Sequence, residues 1–153
     1  MDYKTQNKEY ETAIQTLLRG QSWNERADAA RQLGKFQDAR ATNILARALN
    51  SEKDEIVINQ IIEAMGKIKD AKATMLIIDF LKKELELPEE KQNKNRLFLI
   101  IESLMKIGDK RALEHLGVLF NSCYTDIREL TEQAFQCIDP NWKENLKNIK
   151  NNK

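Results

Sequence analysis

One short phrase occurs twice in this chain: GKFQDARAT at 34–42 and GKIKDAKAT at 66–74, identical at six of nine positions. Self-similarity at a fixed spacing constrains a fold more than any single motif, because each copy must be one supersecondary unit that reuses the same packing surface. Two weaker copies follow. Stacked on a shared aspartate, the segments read LGKFQDARA around Asp38, MGKIKDAKA around Asp70, LMKIGDKRA around Asp109 and AFQCIDPNW around Asp139, at intervals of 32, 39 and 30 residues.

Upstream of each aspartate the same apolar phase recurs: Ala30 and Leu33, Ile62 and Met65, Ile101 and Leu104, Thr131 and Ala134. An i, i+3 spacing marks one face of a helix. Downstream lies a second pattern of Leu45, Ala48 and Leu49, repeated as Ile77, Phe80 and Leu81, as Leu116, Leu119 and Phe120, and more weakly as Leu146 and Ile149. Each unit is therefore predicted to be two helices joined by a tight turn. The aspartate falls where the second helix starts, and a carboxylate there accepts hydrogen bonds from unpaired backbone N–H groups. Pro140, directly after Asp139, suits a first helical position. These residues are read as caps rather than as catalytic acids.

The rest of the composition agrees with an all-α chain. Five Gly and two Pro in 153 residues leave long uninterrupted segments, and the strict alternation of strands is missing. The longest aliphatic and aromatic run, LFLII at 97–101, is far short of the ~20 residues of a membrane span. The first residues, MDYKTQNKEYET, lack the order of a secretory signal, and Cys123 and Cys137 stand in no metal-ligand spacing. Two reduced thiols in a cytoplasmic protein are the expectation. Lys and Arg total 25 against 24 for Asp and Glu, so any electrostatic role must be local.

The phrase Leu-Gly-Lys-Ile/Phe-x-Asp-x-Arg/Lys-Ala, followed by a Leu-rich helix, resembles HEAT repeats, particularly the short bilin-lyase-like class. The resemblance spans roughly Trp23 to Lys150, with Met105 and Phe135 departing where the first two copies have Gly34 and Gly66. It implies a right-handed α-solenoid of about four antiparallel helix pairs, one helix of each pair on the convex and the other on the concave face. A single domain over 1–153 is expected, with a capping helix at 1–20, pairs at 22–50, 51–83, 93–122 and 125–150, and an insertion loop at 84–94 around Pro88. Solenoid ends must be covered. Tyr10, Ile14, Leu17 and Leu18 form a stripe ending at Gly20, Ser22 and Glu25 fit a capping box, and Trp142, Leu146 and Ile149 share a face while Asn148 points outward.

Three sets of residues invite a functional reading. Turns within the pairs carry Lys35, Arg40, Lys67, Lys69, Lys72, Lys106, Lys110 and Arg111 on one edge, while turns between pairs carry Glu52, Asp54, Glu55, Glu84, Glu86, Glu89, Glu90, Asp126 and Glu129 on the other. Helix dipoles alone favour that segregation, and a basic edge also suits nucleic acid or an acidic partner. Apolar excess in MLIIDFL (75–81) and LFLIIESLM (97–105) marks a central patch with Met75, Ile78, Asp79, Lys82, Phe98 and Leu99 as partner-binding candidates. His115, the one histidine, aligns with apolar Ile44 and Leu76 and has no nucleophile or metal partner in any known arrangement. Neither catalytic residues nor a cofactor are indicated, and the several His-Glu ligands of HEAT-like deoxyhypusine hydroxylase cannot be supplied by one histidine. The resemblance implies a non-catalytic adaptor that binds a protein or peptide on the concave face and the apolar patch, and the patch itself also suits a homodimer contact. The alternatives are a nucleic-acid module resembling HEAT-like DNA glycosylases, and an enzyme or enzyme helper such as a bilin-lyase-like protein.

Overall fold

The computed structural model describes residues 3–151, with the side chains of residues 4–147; Asn148 and Ile149 of the last predicted stripe thus lie outside the described side chains. Nine α-helices and no strand occur among the described residues: α1 Tyr3–Arg19, α2 Trp23–Phe36, α3 Thr42–Ser51, α4 Glu55–Ile68, α5 Thr74–Leu85, α6 Lys94–Ile107, α7 Leu113–Leu116, α8 Thr125–Ile138 and α9 Trp142–Asn151. After α1 they form four pairs, the all-α repeat architecture that the sequence predicts.

The repeated phrase builds one junction three times. Gln37, Lys69 and Gly108 end α2, α4 and α6 in the left-handed backbone region, at φ of 52°, 63° and 76°. The aspartate that follows caps a single 3-10 turn, which in turn feeds the second helix. Asp38, Asp70 and Asp109 each accept from the N–H two residues on, at 2.9, 3.0 and 3.0 Å. The carboxylate thus satisfies an unpaired donor at the point where the chain reverses. Asp139 does so without a 3-10 helix, accepting from Asn141 N–H at 3.1 Å and from Asn145 Nδ2 at 2.7 Å.

Stacking runs through the first helix of each pair. α1 covers α2, and α2, α4, α6 and α8 pack in succession. Small residues permit this closeness: a Cβ on Gly34 would stand 3.0 Å from the Cα of Ala64, and one on Gly66 only 2.8 Å from the Cα of Ser103. Leu33, Ile61, Ile62, Met65, Leu97, Ile101 and Leu104 fill the space between layers and are almost wholly buried. The second helices are spaced more widely, with α3 meeting the turn before α5 and α5 the turn before α7. A two-layer stack bends toward its closer-spaced layer, so the first-helix layer is the inner one. Met75 and Ile78, candidates of the central apolar patch, lie on α5 and so belong to the other layer.

Two local departures matter for the surface. The second helix of the third pair is cut to four residues and continues as a 3-10 helix, Gly117–Asn121. The segment read as an insertion loop at 84–94 begins as the last turn of α5 and is tied down: Glu84 accepts from Asn93 N–H at 2.9 Å, and Glu89 from Cys123 N–H at 2.9 Å. Next to it, Arg96 is 5% exposed. It bonds Asn59 Oδ1 at 2.8 Å and the Glu55 carbonyl at 3.3 Å, forms an ion pair with the Glu55 carboxylate, and lies 3.9 Å from Glu84. A buried guanidinium requires such partners.

Candidate functional site

On the inner layer, the N-terminal parts of α2 and α4 border a groove of about 310 Å³. Its α2 wall is Trp23, Asn24, Ala27, Asp28 and Arg31, spaced as one helical face, and its α4 wall is Ile56 and Gln60. Trp23 and Ile56 are 47% and 50% exposed, two of the most exposed large apolar side chains described. Their exposure follows from position: each sits within two residues of an N-cap, Ser22 or Asp54, before its helix reaches the neighbour it packs on. Asp28 pairs with Arg31 and accepts from Gln32 Nε2 at 3.1 Å, which leaves the polar wall locally neutral. In repeat register Leu99 of α6 stands where α4 has Gln60, and it is half-buried. The inner face therefore carries an apolar residue on three successive first helices.

The central patch read from the sequence does not assemble. Ile78 is fully buried, because α5 turns it toward the core rather than outward. Met75 is 38% exposed, and Asp79 and Lys82 share its outward face of α5. Phe98 and Leu99 are half-buried against the core in the other layer. Successive helices run antiparallel, so Met75 in the first turn of α5 and Phe98 near the start of α6 lie toward opposite ends of these helices. Phe98 instead belongs to a clamp between pairs, where Lys94 lies over its ring at 5.9 Å and that of Tyr124 at 4.9 Å and meets Asp126 at 2.7 Å.

Part of each charged edge is committed to the fold. Arg40 and Arg111 turn back onto their own capping aspartates, Asp38 and Asp109, at 2.6 Å, and Lys67 meets Glu63 at 3.5 Å. Arg111 also donates to the Ala71 carbonyl of the preceding turn at 3.1 Å. The Arg111 guanidinium holds the Asp109 carboxyl at about 2, burial working against it. The Lys72 backbone N–H holds the Asp70 carboxyl below the usual carboxylate range, burial working against it, while the buried hydroxyls of Thr42 and Thr74 reach hydrogen-bond geometry with no partner. Lys35, Lys69, Lys72, Lys106 and Lys110 stand exposed along this edge. On the other edge Glu52 takes Arg26 through two bonds, at 2.9 and 3.1 Å.

Helix pairs of this length, stacked through a Gly-bearing first helix and closed by an Asp-capped turn, match a known pattern. A family model described as HEAT repeats aligns with residues 10–88, just over half of the chain. The chain belongs to the HEAT-repeat family. No curated protein matches it.

HEAT repeats commonly mediate protein–protein interaction. Among the described residues no group of three or more His, Cys, Asp or Glu is placed to hold a metal ion, and no helix is long and apolar enough to cross a membrane. His115 is half-buried on α7, as are its cognates Ile44 and Leu76. Both cysteines are free and exposed. The hydrogen bond to Glu89 pushes the Cys123 thiol up, which disfavours the reactive thiolate.

Proposed function

We propose that this HEAT-repeat chain is a non-catalytic interaction module that holds a segment of a partner protein along its inner face. The observation that carries the reading is the groove in which Trp23 and Ile56 lie half exposed beside Asn24 and Gln60. Large apolar side chains kept in water next to amide groups suit an extended segment: the rings and methyls take its apolar side chains, and the amides meet its backbone. Leu99 continues the strip onto the third pair. Asp79, Lys82 and Met75 lie on the outer layer and take no part in this reading.

The basic edge fits a nucleic-acid role less well, because each capping aspartate stands among the cations and both arginines are held by carboxylates. One experiment separates the two. The chain and its Trp23→Ser/Ile56→Ser variant are used as bait in the source cell extract, with and without nuclease. Partners that survive nuclease and are lost by the variant support the proposal; partners retained by the variant, or released by nuclease, overturn it.

A further inference from the structure

The inner face carries a second feature beside its apolar strip. Along the α2 wall of the groove, Asn24, Asp28 and Arg31 follow one helical stripe, and the next residue on that stripe is Lys35. The same stripe reaches Lys67 on α4, seven residues after Gln60, and Lys106 on α6, seven residues after Leu99. Successive first helices thus place a lysine at one level of the inner face. Contact geometry agrees, since the stem of Lys67 crosses the seam between α2 and α4, its Cδ lying 3.5 Å from a Cβ built on Gly34.

These lysines remain largely uncommitted. Lys35 and Lys106 are exposed and have no ion pair among the described residues, and Lys67 meets Glu63 only at 3.5 Å. At the opposite edge Arg26, Lys94 and Arg96 are each held by a carboxylate. Between the apolar strip and the lysines, Arg31 pairs with Asp28 and Glu63 with Lys67, which leaves Glu102 as the one carboxylate at that level without an ion pair among the described residues. The inner face is therefore apolar toward the N-terminal ends of its helices and cationic toward their C-terminal ends. Seven helical residues separate the two levels by about 10 Å. An extended segment laid between them points its side chains alternately to either side, so a segment that complements both levels alternates apolar groups with carboxylates.

We infer that the segment held on the inner face is acidic: an extended stretch of a partner protein whose apolar side chains enter the Trp23–Ile56–Leu99 strip and whose alternate Asp or Glu side chains pair with Lys35, Lys67 and Lys106. The inference rests on the proposed role of the α2–α4 groove and adds to it the chemistry of the partner.

The test is a selection of displayed random peptides on the full chain. Affinities of the enriched peptides are then measured by fluorescence polarisation for wild type, Lys35→Gln/Lys67→Gln/Lys106→Gln, Lys35→Glu/Lys106→Glu and Trp23→Ser/Ile56→Ser, each checked for helix content by circular dichroism. Enriched peptides are expected to alternate apolar residues with Asp or Glu. Losing a row of solvated ion pairs is expected to weaken them by roughly tenfold at low salt and by less at high salt. The charge-reversed variant is expected to prefer the same peptides with Lys in place of the acids, a switch that a merely structural role of the lysines would not produce. Peptides lost on the groove variant but lacking acidic residues, or bound equally well by both lysine variants, would overturn the inference and leave the groove reading standing. Peptides indifferent to the groove variant, or no enrichment at all, would overturn both. Oligo(dT) bound more tightly than any enriched peptide, and released by the Lys→Gln variant, would give the lysine row to nucleic acid and overturn the inference.

Discussion

Gly66→Ala puts the stacking geometry under direct strain. In an exposed helix interior this change stabilises by about 1 kcal/mol, because alanine loses less backbone freedom on folding. Here the new Cβ would sit 2.8 Å from both Cα and Oγ of Ser103 and 2.9 Å from its Cβ. Two of these atoms are fixed to the α6 backbone, so α4 and α6 must separate by about 1 Å to reach ordinary contact distance. That movement also stretches the buried bond from Ser103 Oγ to the Ile62 carbonyl, now 3.1 Å. Overpacking of this kind costs about 1–3 kcal/mol and a weakened buried hydrogen bond about 1 more. The net is a loss of about 1–3 kcal/mol, or roughly 2–4 °C in Tm for each kcal/mol in a chain of this size. Urea unfolding followed by circular dichroism measures it. Gly34→Ala, facing Ala64 Cα at 3.0 Å and Cβ at 3.2 Å, should cost less, and Gly117→Ala should be neutral or stabilising. A Gly66→Ala protein as stable as the parent, or the reverse ranking, would refute the close approach of α4 and α6.

Further outcomes follow from the turns. At Gly108, φ is 76° and nothing lies within 4 Å of a built Cβ, so Gly108→Ala should cost about 1 kcal/mol through backbone strain alone, while Lys69→Gly, relieving a φ of 63°, should gain a few tenths or more, both read as urea midpoints. Asp109 is ionised more readily folded than unfolded, so its contribution is full above about pH 4 and fades as pH falls toward 2; Asp109→Asn should remove about 1 kcal/mol at neutral pH, discounted for the exposed Arg111, and flatten acid unfolding in that window. Glu89→Gln should lower the Cys123 pKa and speed its alkylation by iodoacetamide while leaving Cys137 unchanged, as mass spectrometry of the modified peptides would show.

The helix pairs were legible because their determinants are local. The Asp cap, the first-helix stripe and the spacing of copies all act within a few residues, so Asp38, Asp70 and Asp109 announce their role in the string itself. Even there, the 3-10 turn between cap and second helix was hidden, since it depends on how tightly the chain reverses. Surface patches depend on which way a helix is rolled against its neighbours. Ile78 aligns with Ala46 and Gly117, which suggested an outward face, yet packing turned it inward. Arg96 escaped notice beside the apolar run LFLII, because its partners Glu55 and Asn59 are some 40 residues earlier in the chain. Trp23 enters the sequence reading only as a residue near one end of the chain, and Ile56 does not enter it. Their meeting in one groove comes from the contact of α2 with α4, although the offset of two or fewer residues from each N-cap was a signal available in the sequence.

Everything functional in this account rests on first helices that touch while second helices stand apart. Proton–proton NOEs on the isotope-labelled chain test this most directly. Strong cross-peaks are predicted from Gly66 Hα to Ser103 Hα and from Gly34 Hα to Ala64 Hα, with α3 and α5 linked only through side chains and the intervening turn. Absence of the glycine cross-peaks, or backbone contacts running instead between α3 and α5, would contradict it.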